Sequence, residues 1–111
     1  AHINFKNTVV STEEGGTDLT LKELTPVRLI KNKFYQQVQD LYQQKATTEE
    51  LKNLLGRARA KKGMFEGDLD EGELEIGQIA GLIHDIKPAF IIVHQIISEY
   101  KKVKSEINNF Y

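Results

Sequence analysis

Residues 25–44 read TPVRLIKNKFYQQVQDLYQQ, and the fold class turns on this stretch. Val27, Ile30, Phe34, Val38 and Leu41 recur at spacings of three and four, which makes one apolar stripe along a helix. Arg28, Lys31, Lys33 and Asp40 fall mostly off that stripe. Threonine is a good helix cap, and proline is tolerated in a first turn because its missing N–H would be unpaired there anyway. The spacing therefore predicts a single helix from Thr25 to about Gln44.

Upstream, Ile3–Thr12 reads as a short helix with Phe5 and Val9 on one face. Gly15-Gly16 closes it, because glycine tolerates left-handed geometry. Asp18–Glu23 alternates, with Leu19 and Leu21 on one side, as a short half-buried strand does. Downstream, Thr47-Thr48-Glu49-Glu50 is a capping box that opens a helix through Leu51, Leu54 and Leu55. Arg57–Lys62 continues that helix as a basic turn up to Gly63. Met64–Gly72 is acidic, glycine-rich loop. Glu73–Ile76 alternates again and is placed as a second strand beside Leu19–Leu21. Gln78–His84 is read as helical with Ile79, Leu82 and Ile83 buried, and Gly77 and Gly81 leave one face bare. Pro88–Asn108 is the last long helix, with Ile92, Ile96, Tyr100, Val103 and Ile107 as its stripe. Ala89, Val93 and Ile97 widen that face beyond what a lone surface helix exposes. The terminal Asn108–Tyr111 is expected to fray. The expected class is thus mainly α with a short two-stranded β element.

The 111 residues suffice for one ordinary domain, with 40% hydrophobic and 28% charged residues. A formal net charge of -1 supplies no field for nucleic acid or an anionic membrane. There is no cysteine, which removes disulfides and thiolate chemistry and suits a cytoplasmic compartment. No apolar run approaches the ~18–20 residues a membrane span needs. The start, Ala1-His2-Ile3-Asn4, is neither a signal peptide nor an initiating methionine, so the chain is expected to be processed or cut from something longer.

Three ordered stretches carry a family resemblance. The first is Ala1-His2-Ile3-Asn4-Phe5-Lys6. The second runs from Asp18-Leu19-Thr20-Leu21 through Pro26-Val27-Arg28 to Lys31-Asn32-Lys33-Phe34. The third is Glu66-Gly67-Asp68 and Glu71-Gly72, followed by Gly77-Gln78-Ile79-Ala80-Gly81-Leu82-Ile83. In order and spacing they resemble the C-terminal part of the FMN-dependent nitronate monooxygenase (2-nitropropane dioxygenase) and flavin-type enoyl-acyl carrier protein reductase family. The resemblance implies a TIM-barrel flavoenzyme with a lid near its chain end, of which this chain holds the lid and the closing helices but not the barrel. It divides the chain into a lid-like part, residues 1–85, and a C-terminal helix, 86–111, that packs on the barrel in the family. It implies FMN for the complete family member and none for this chain alone. It also implies a small-molecule substrate and NAD(P)H for the complete enzyme. Whether the parent oxidises a nitronate or reduces an enoyl thioester is left open, because the discriminating residues lie upstream.

The resemblance places Glu75, Gly77 and Gln78, with Glu73 beside them, where the lid approaches the flavin. They are the expected cofactor-cleft residues in the complete protein; the plain alternative is a strand end and a helix start. No catalytic residue is expected, since the family's active-site histidine lies in the barrel and His2, His84 and His94 do not replace it. Arg57, Arg59, Lys61 and Lys62 form a basic cluster able to meet a phosphate or an acidic carrier, or simply to be solvated. Asp68, Asp70, Glu71 and Glu73 form an acidic cluster that fails the calcium-loop pattern, with Glu73 where the sixth-position glycine should be. His84 and Asp85 are adjacent and so face apart on a helix. The leading expectation is an incomplete flavoenzyme, inactive by itself, that self-associates through exposed apolar helix faces. The alternative is a stand-alone helical module that binds a partner protein.

Overall fold

The structure is a computed structural model and describes residues 1–110. In chain order it comprises α1 (Ile3–Ser11), β1 (Thr17–Thr20), β2 (Val27–Ile30), α2 (Lys33–Gln43), α3 (Thr48–Leu55), α4 (Arg59–Met64), a 3₁₀ turn (Gln78–Leu82) and α5 (Ala89–Asn108). The class is mainly helical with one two-stranded sheet. Tyr111, the last of the residues expected to fray, lies outside the described residues.

The opening stretch is half helix and half strand. Val27–Ile30 pairs antiparallel with Thr17–Thr20, with Thr17 opposite Ile30 and Thr20 opposite Val27. The predicted helix over 25–44 is thereby corrected: it starts only at Lys33, behind an Asn32 cap that accepts from the Tyr35 N–H. A helical stripe counts Val27 and Ile30 but ignores Leu29, whereas Leu29 is fully buried, at 0% exposure. Successive strand residues point to opposite faces. Leu29 therefore enters a core with Leu21, Phe34, Val38 and Leu51, while Ile30 enters a second core with Phe5, Val9, Leu74 and Ala80. β2 is the partition between two small cores.

The expected pairing of Glu73–Ile76 with Leu19–Leu21 is likewise corrected. The Leu74–Ile76 segment lies along the other edge of β2, where the Ile30 N–H donates to the Leu74 carbonyl at 2.9 Å and the Ile76 N–H to the Arg28 carbonyl at 3.2 Å. Both edges of β2 are thus satisfied, and this non-local pairing overrides the local helical pattern.

The Thr47 capping box forms as read, with Glu50 reaching back to the Thr47 N–H. The basic turn does not extend α3. Gly56 (φ +62°) and Ala58 (φ +59°) are both left-handed and break the chain into α3 and α4. Residues 78–84 form five residues of 3₁₀ helix rather than a buried α-helix. Its inward residue is Ala80, while Ile79 and Leu82 are 61% and 68% exposed and Ile83 is exposed too. Gly81 does face bare backbone, since a Cβ there would lie 3.1 Å from the Glu14 nitrogen, whereas Gly77 borders open space.

α5 buries none of its residues. With a helix standing clear of the packed part, the radius of gyration is 18.0 Å and the long axis 58 Å, against about 13 Å for a compact chain of this length.

Candidate functional site

Glu75, Gly77 and Gln78 follow the segment held against β2, and that pairing sets their position. Arg28, on β2, lies between two clefts. A cleft of about 410 Å³ is lined by Arg28, Gln78 and the Glu14–Thr17 turn. A shallower one of about 420 Å³ is lined by Pro26, Arg28, Glu75 and Gly77. Arg28 thus lines both clefts, one with Gln78 and the other with Glu75 and Gly77. Arg28 is half-buried, and its Nη1 donates to the Thr17 carbonyl and hydroxyl at 3.3 and 3.2 Å. Glu75, Gly77 and Gln78 are exposed. Among the described residues the side chains of Glu75 and Gln78 make no hydrogen bond to protein groups.

Arg28 is the residue the sequence reading missed. Its place on an assumed helix put it off the apolar stripe and hence in solvent. The signal that marks it is Pro26 at a strand entry followed by alternation through Arg28 and Leu29.

Glu73 stands apart from this group. It is buried, at 8% exposure, behind a small cleft that it shares with Leu21, Leu24, Leu55 and Glu75. Burial pushes its carboxyl above the ordinary range, the nearby Glu75 charge adds to this, and Arg59 partly opposes it.

The two charged clusters consume each other. Arg59 donates from Nε to the Leu55 carbonyl (2.9 Å), from Nη2 to the Leu54 carbonyl (2.6 Å) and from Nη1 to the Glu71 carbonyl (2.8 Å). Its guanidinium also lies 4.4 Å from the centre of the Phe34 ring. Lys61 and Lys62 pair with Glu66 and Asp68, and Lys33 with Glu71. Asp68 Oδ1 accepts from the Asp70 and Glu71 N–H groups, and the Glu71 N–H bond is the main reason its carboxyl sits below the usual range. Arg57 is exposed. These residues staple the 64–72 loop to α4 and α2. His84 and His94 are both exposed, and Asp85 pairs with Lys87 rather than with His84. His2 caps α1, its Nδ1 accepting from the Asn4 N–H at 3.1 Å.

A phosphate cradle requires several free N–H groups converging on one point. At Gly15-Gly16 the Gly16 N–H is already spent on the Glu13 carbonyl, 2.9 Å away. The Arg28 cleft offers one cation and one carboxamide, with the Glu14 carboxylate and Thr17 beside them. These residues do not by themselves fit a whole FMN; they suit the border of a site completed by other groups.

No protein-family model and no curated protein sequence matches the chain. Solved structures do. FabK from Thermotoga maritima superposes with a TM-score of 0.79 at 27% identity, over 99% of this chain and 35% of the FabK chain. A methionine-to-alanine mutant of the same protein gives 0.75 at 26% identity, over 99% and 32%. The chain has the fold of the C-terminal part of FabK. The family resemblance carried by the three ordered segments is thereby borne out. The chain spans about a third of the length of the FabK chains it matches. Among the described residues no helix is long and apolar enough to cross a membrane.

Proposed function

We propose that this chain is the lid and closing-helix portion of an FMN-dependent oxidoreductase of the enoyl-acyl carrier protein reductase type. The observation that carries the reading is the match of 99% of the chain to the C-terminal part of FabK, about a third of that chain. The FabK likeness favours enoyl-thioester reduction over nitronate oxidation for the parent. In that parent, residues 1–85 cover the flavin, and Glu75, Gly77 and Gln78 line the cleft with Arg28 at its centre. Bound FMN would supply hydride chemistry with NAD(P)H as donor and a small-molecule enoyl thioester as acceptor. This chain's part is to place one cation and one carboxamide at the border and to exclude water. By itself it supplies cover and packing surface, works in the cytoplasm, and takes no flavin.

The test is flavin titration of the purified 111-residue chain, read by absorbance near the flavin band and by fluorescence quenching. The expected result is a colourless protein with no saturable FMN binding. Stoichiometric FMN on the isolated chain overturns the reading. The intact mass, set against the encoding reading frame, tests whether a barrel belongs to the same polypeptide. A second reading, a stand-alone partner-binding module, draws on the exposed face of α5. A monomer at all concentrations that captures another protein through α5 would favour it over self-association of an uncovered lid.

A further inference from the structure

Glu73 and Leu74 are neighbours that serve opposite sides of one segment. Leu74 enters the core with Phe5 and Val9. Glu73 turns the other way, into a cleft of about 180 Å³ that it shares with Leu21 and Leu55. Its backbone is fixed there, because the Glu73 N–H donates to the Arg59 carbonyl at 3.0 Å. Buried Glu73 and Leu21 form the floor of the cleft. Half-buried Leu24, Val27 and Leu55 form its wall, and exposed Glu75 stands at its rim. Floor and wall come from the β1–β2 hairpin, α3 and the 73–75 segment, so Glu73 is buried by this chain's own residues.

Glu73 is 8% exposed, and among the described residues its carboxyl has no hydrogen bond or ion pair. Arg59 is the nearby cation, but it gives three N–H groups to the Leu54, Leu55 and Glu71 carbonyls and none to Glu73. Buried acceptors ordinarily have a donor, since one without it has lost water for nothing. A buried carboxyl that opens onto a cavity therefore calls for a donor that enters through the cleft. The lining selects which one. Two carboxylates favour a positive charge. A metal ion would give up its water to leucine and valine side chains that offer no oxygen in return. An alkylammonium buries its methylenes against that same wall and brings three N–H donors to the floor.

We propose that the Glu73 cleft binds a primary alkylammonium group, its head on Glu73, its methylene stem between Leu24, Val27 and Leu55, and Glu75 attracting it at the mouth. A lysine side chain and a free amine present this same chemistry. The site adjoins the Arg28 cleft, with Glu75 on the border of both, and it does not rest on the flavin reading.

The test is an NMR titration of the labelled 111-residue chain with methyl-, ethyl-, propyl- and butylammonium chloride at constant ionic strength, followed at the amides of Glu73, Glu75 and Leu55. Butylammonium is expected to give saturable shifts with a Kd of ~1 mM. Affinity should rise roughly three- to fourfold with each added methylene. Glu73→Gln should weaken butylammonium about tenfold, and Glu75→Gln about two- to threefold. Glutamine keeps the size of Glu73, and the amide spectrum of each variant checks that the fold holds. Acidification should release the amine as Glu73 takes up its proton; burial and Glu75 move that step upward in pH, and Arg59 opposes them. Nα-acetyl-lysine methylamide bound as tightly as butylammonium assigns the occupant to a lysine side chain of a polypeptide. Butylammonium bound about tenfold more tightly assigns it to a free amine. The proposal is overturned by the absence of saturable shifts, by affinity that ignores chain length, by unchanged binding to Glu73→Gln, or by potassium or calcium binding more tightly than butylammonium. None of these outcomes alters the flavin titration, so the two readings fail separately.

Discussion

Replacing Arg59 by alanine should cost more than any exposed substitution in this chain, even though the sequence presents it as one member of a basic run. The guanidinium holds three carbonyls at 2.6–2.9 Å, two of them at the C-terminal end of α3 and one at Glu71 in the loop. Its side chain is 20% exposed, so water replaces these bonds poorly. Taking ~1 kcal/mol for each bond, with carbonyls near a helix end partly resolvated, gives about 3 kcal/mol. Stacking on Phe34 adds ~0.5–1 kcal/mol. A loss of about 3–4 kcal/mol is a large fraction of the roughly 5–10 kcal/mol such a domain holds. It corresponds to a drop of about 12–20 °C in Tm. Arg59→Lys keeps the charge but not the planar fork, and should lose about half as much. Urea unfolding followed by circular dichroism, at a fixed low protein concentration so that association does not contribute, measures both. A midpoint for Arg59→Ala equivalent to less than about 0.5 kcal/mol of destabilisation, the range of ordinary surface changes, would refute the reasoning.

Two further outcomes follow from groups tied into the same loop. Asn32 caps α2 through its oxygen and donates through Nδ2 to the Leu69 and Gly72 carbonyls, each at 2.8 Å. Asn32→Ala should cost about 2–3 kcal/mol in urea unfolding. Asn32→Asp should cost nearly as much although it keeps the cap, because a carboxylate then faces two carbonyls; recovery by aspartate would show that only the cap counts. Glu73 has its carboxyl raised chiefly by burial. The folded state therefore binds the proton more tightly than the unfolded state, so stability is lost as pH rises from the ordinary glutamate value through the folded one. Glu73→Gln should stabilise the protein at pH 7 and lose that advantage below about pH 4, where both states are protonated. A glutamine variant no more stable than wild type at pH 7 contradicts the burial cost.

The parts legible in the sequence are those whose signal is local. The Thr47–Glu50 box, the Phe34–Val38 face of α2 and the α1 pair Phe5 and Val9 all act within one or two turns. β2 was not legible, because Val27 and Ile30 fit a helical stripe as well as a strand. The tie is broken by residues far away in sequence, Thr17–Thr20 on one edge and Leu74–Ile76 on the other. The misreading of β2 extends to the candidate cleft. Arg28 belongs to the ordered segments as Gly77 and Gln78 do, but a helical reading of 25–44 turns its side chain to solvent. The charged clusters failed differently. A run such as Arg57–Lys62 shows its charge in sequence but not its partners, and Arg59 differs from Arg57 only in what α3, Phe34 and Glu71 bring to it.

The division of labour between body and α5 has a measurable consequence. The two cores on either side of β2 close without α5: among the described residues every buried hydrophobic one lies between Phe5 and Ala80. The links lie at the base of the helix, where Ile91 is half-buried and Ile92 shares a cleft of about 260 Å³ with Phe5, Val9 and Ile86. Removing residues 89–111 should therefore cost the body about 1 kcal/mol, comparable to uncovering one partly buried aliphatic side chain. The same deletion removes the exposed apolar face of α5. A chain ending at Pro88 should unfold at nearly the same urea concentration as a dilute full-length sample, and it should sediment as a monomer wherever the full chain does not. If the truncated body unfolded entirely, α5 would be holding the cores from outside, and its apolar face could not be free for a second copy. If the body stayed folded and still self-associated, the contact between copies would lie elsewhere, with the exposed Ile79 and Leu82 of the 3₁₀ turn as the next apolar surface.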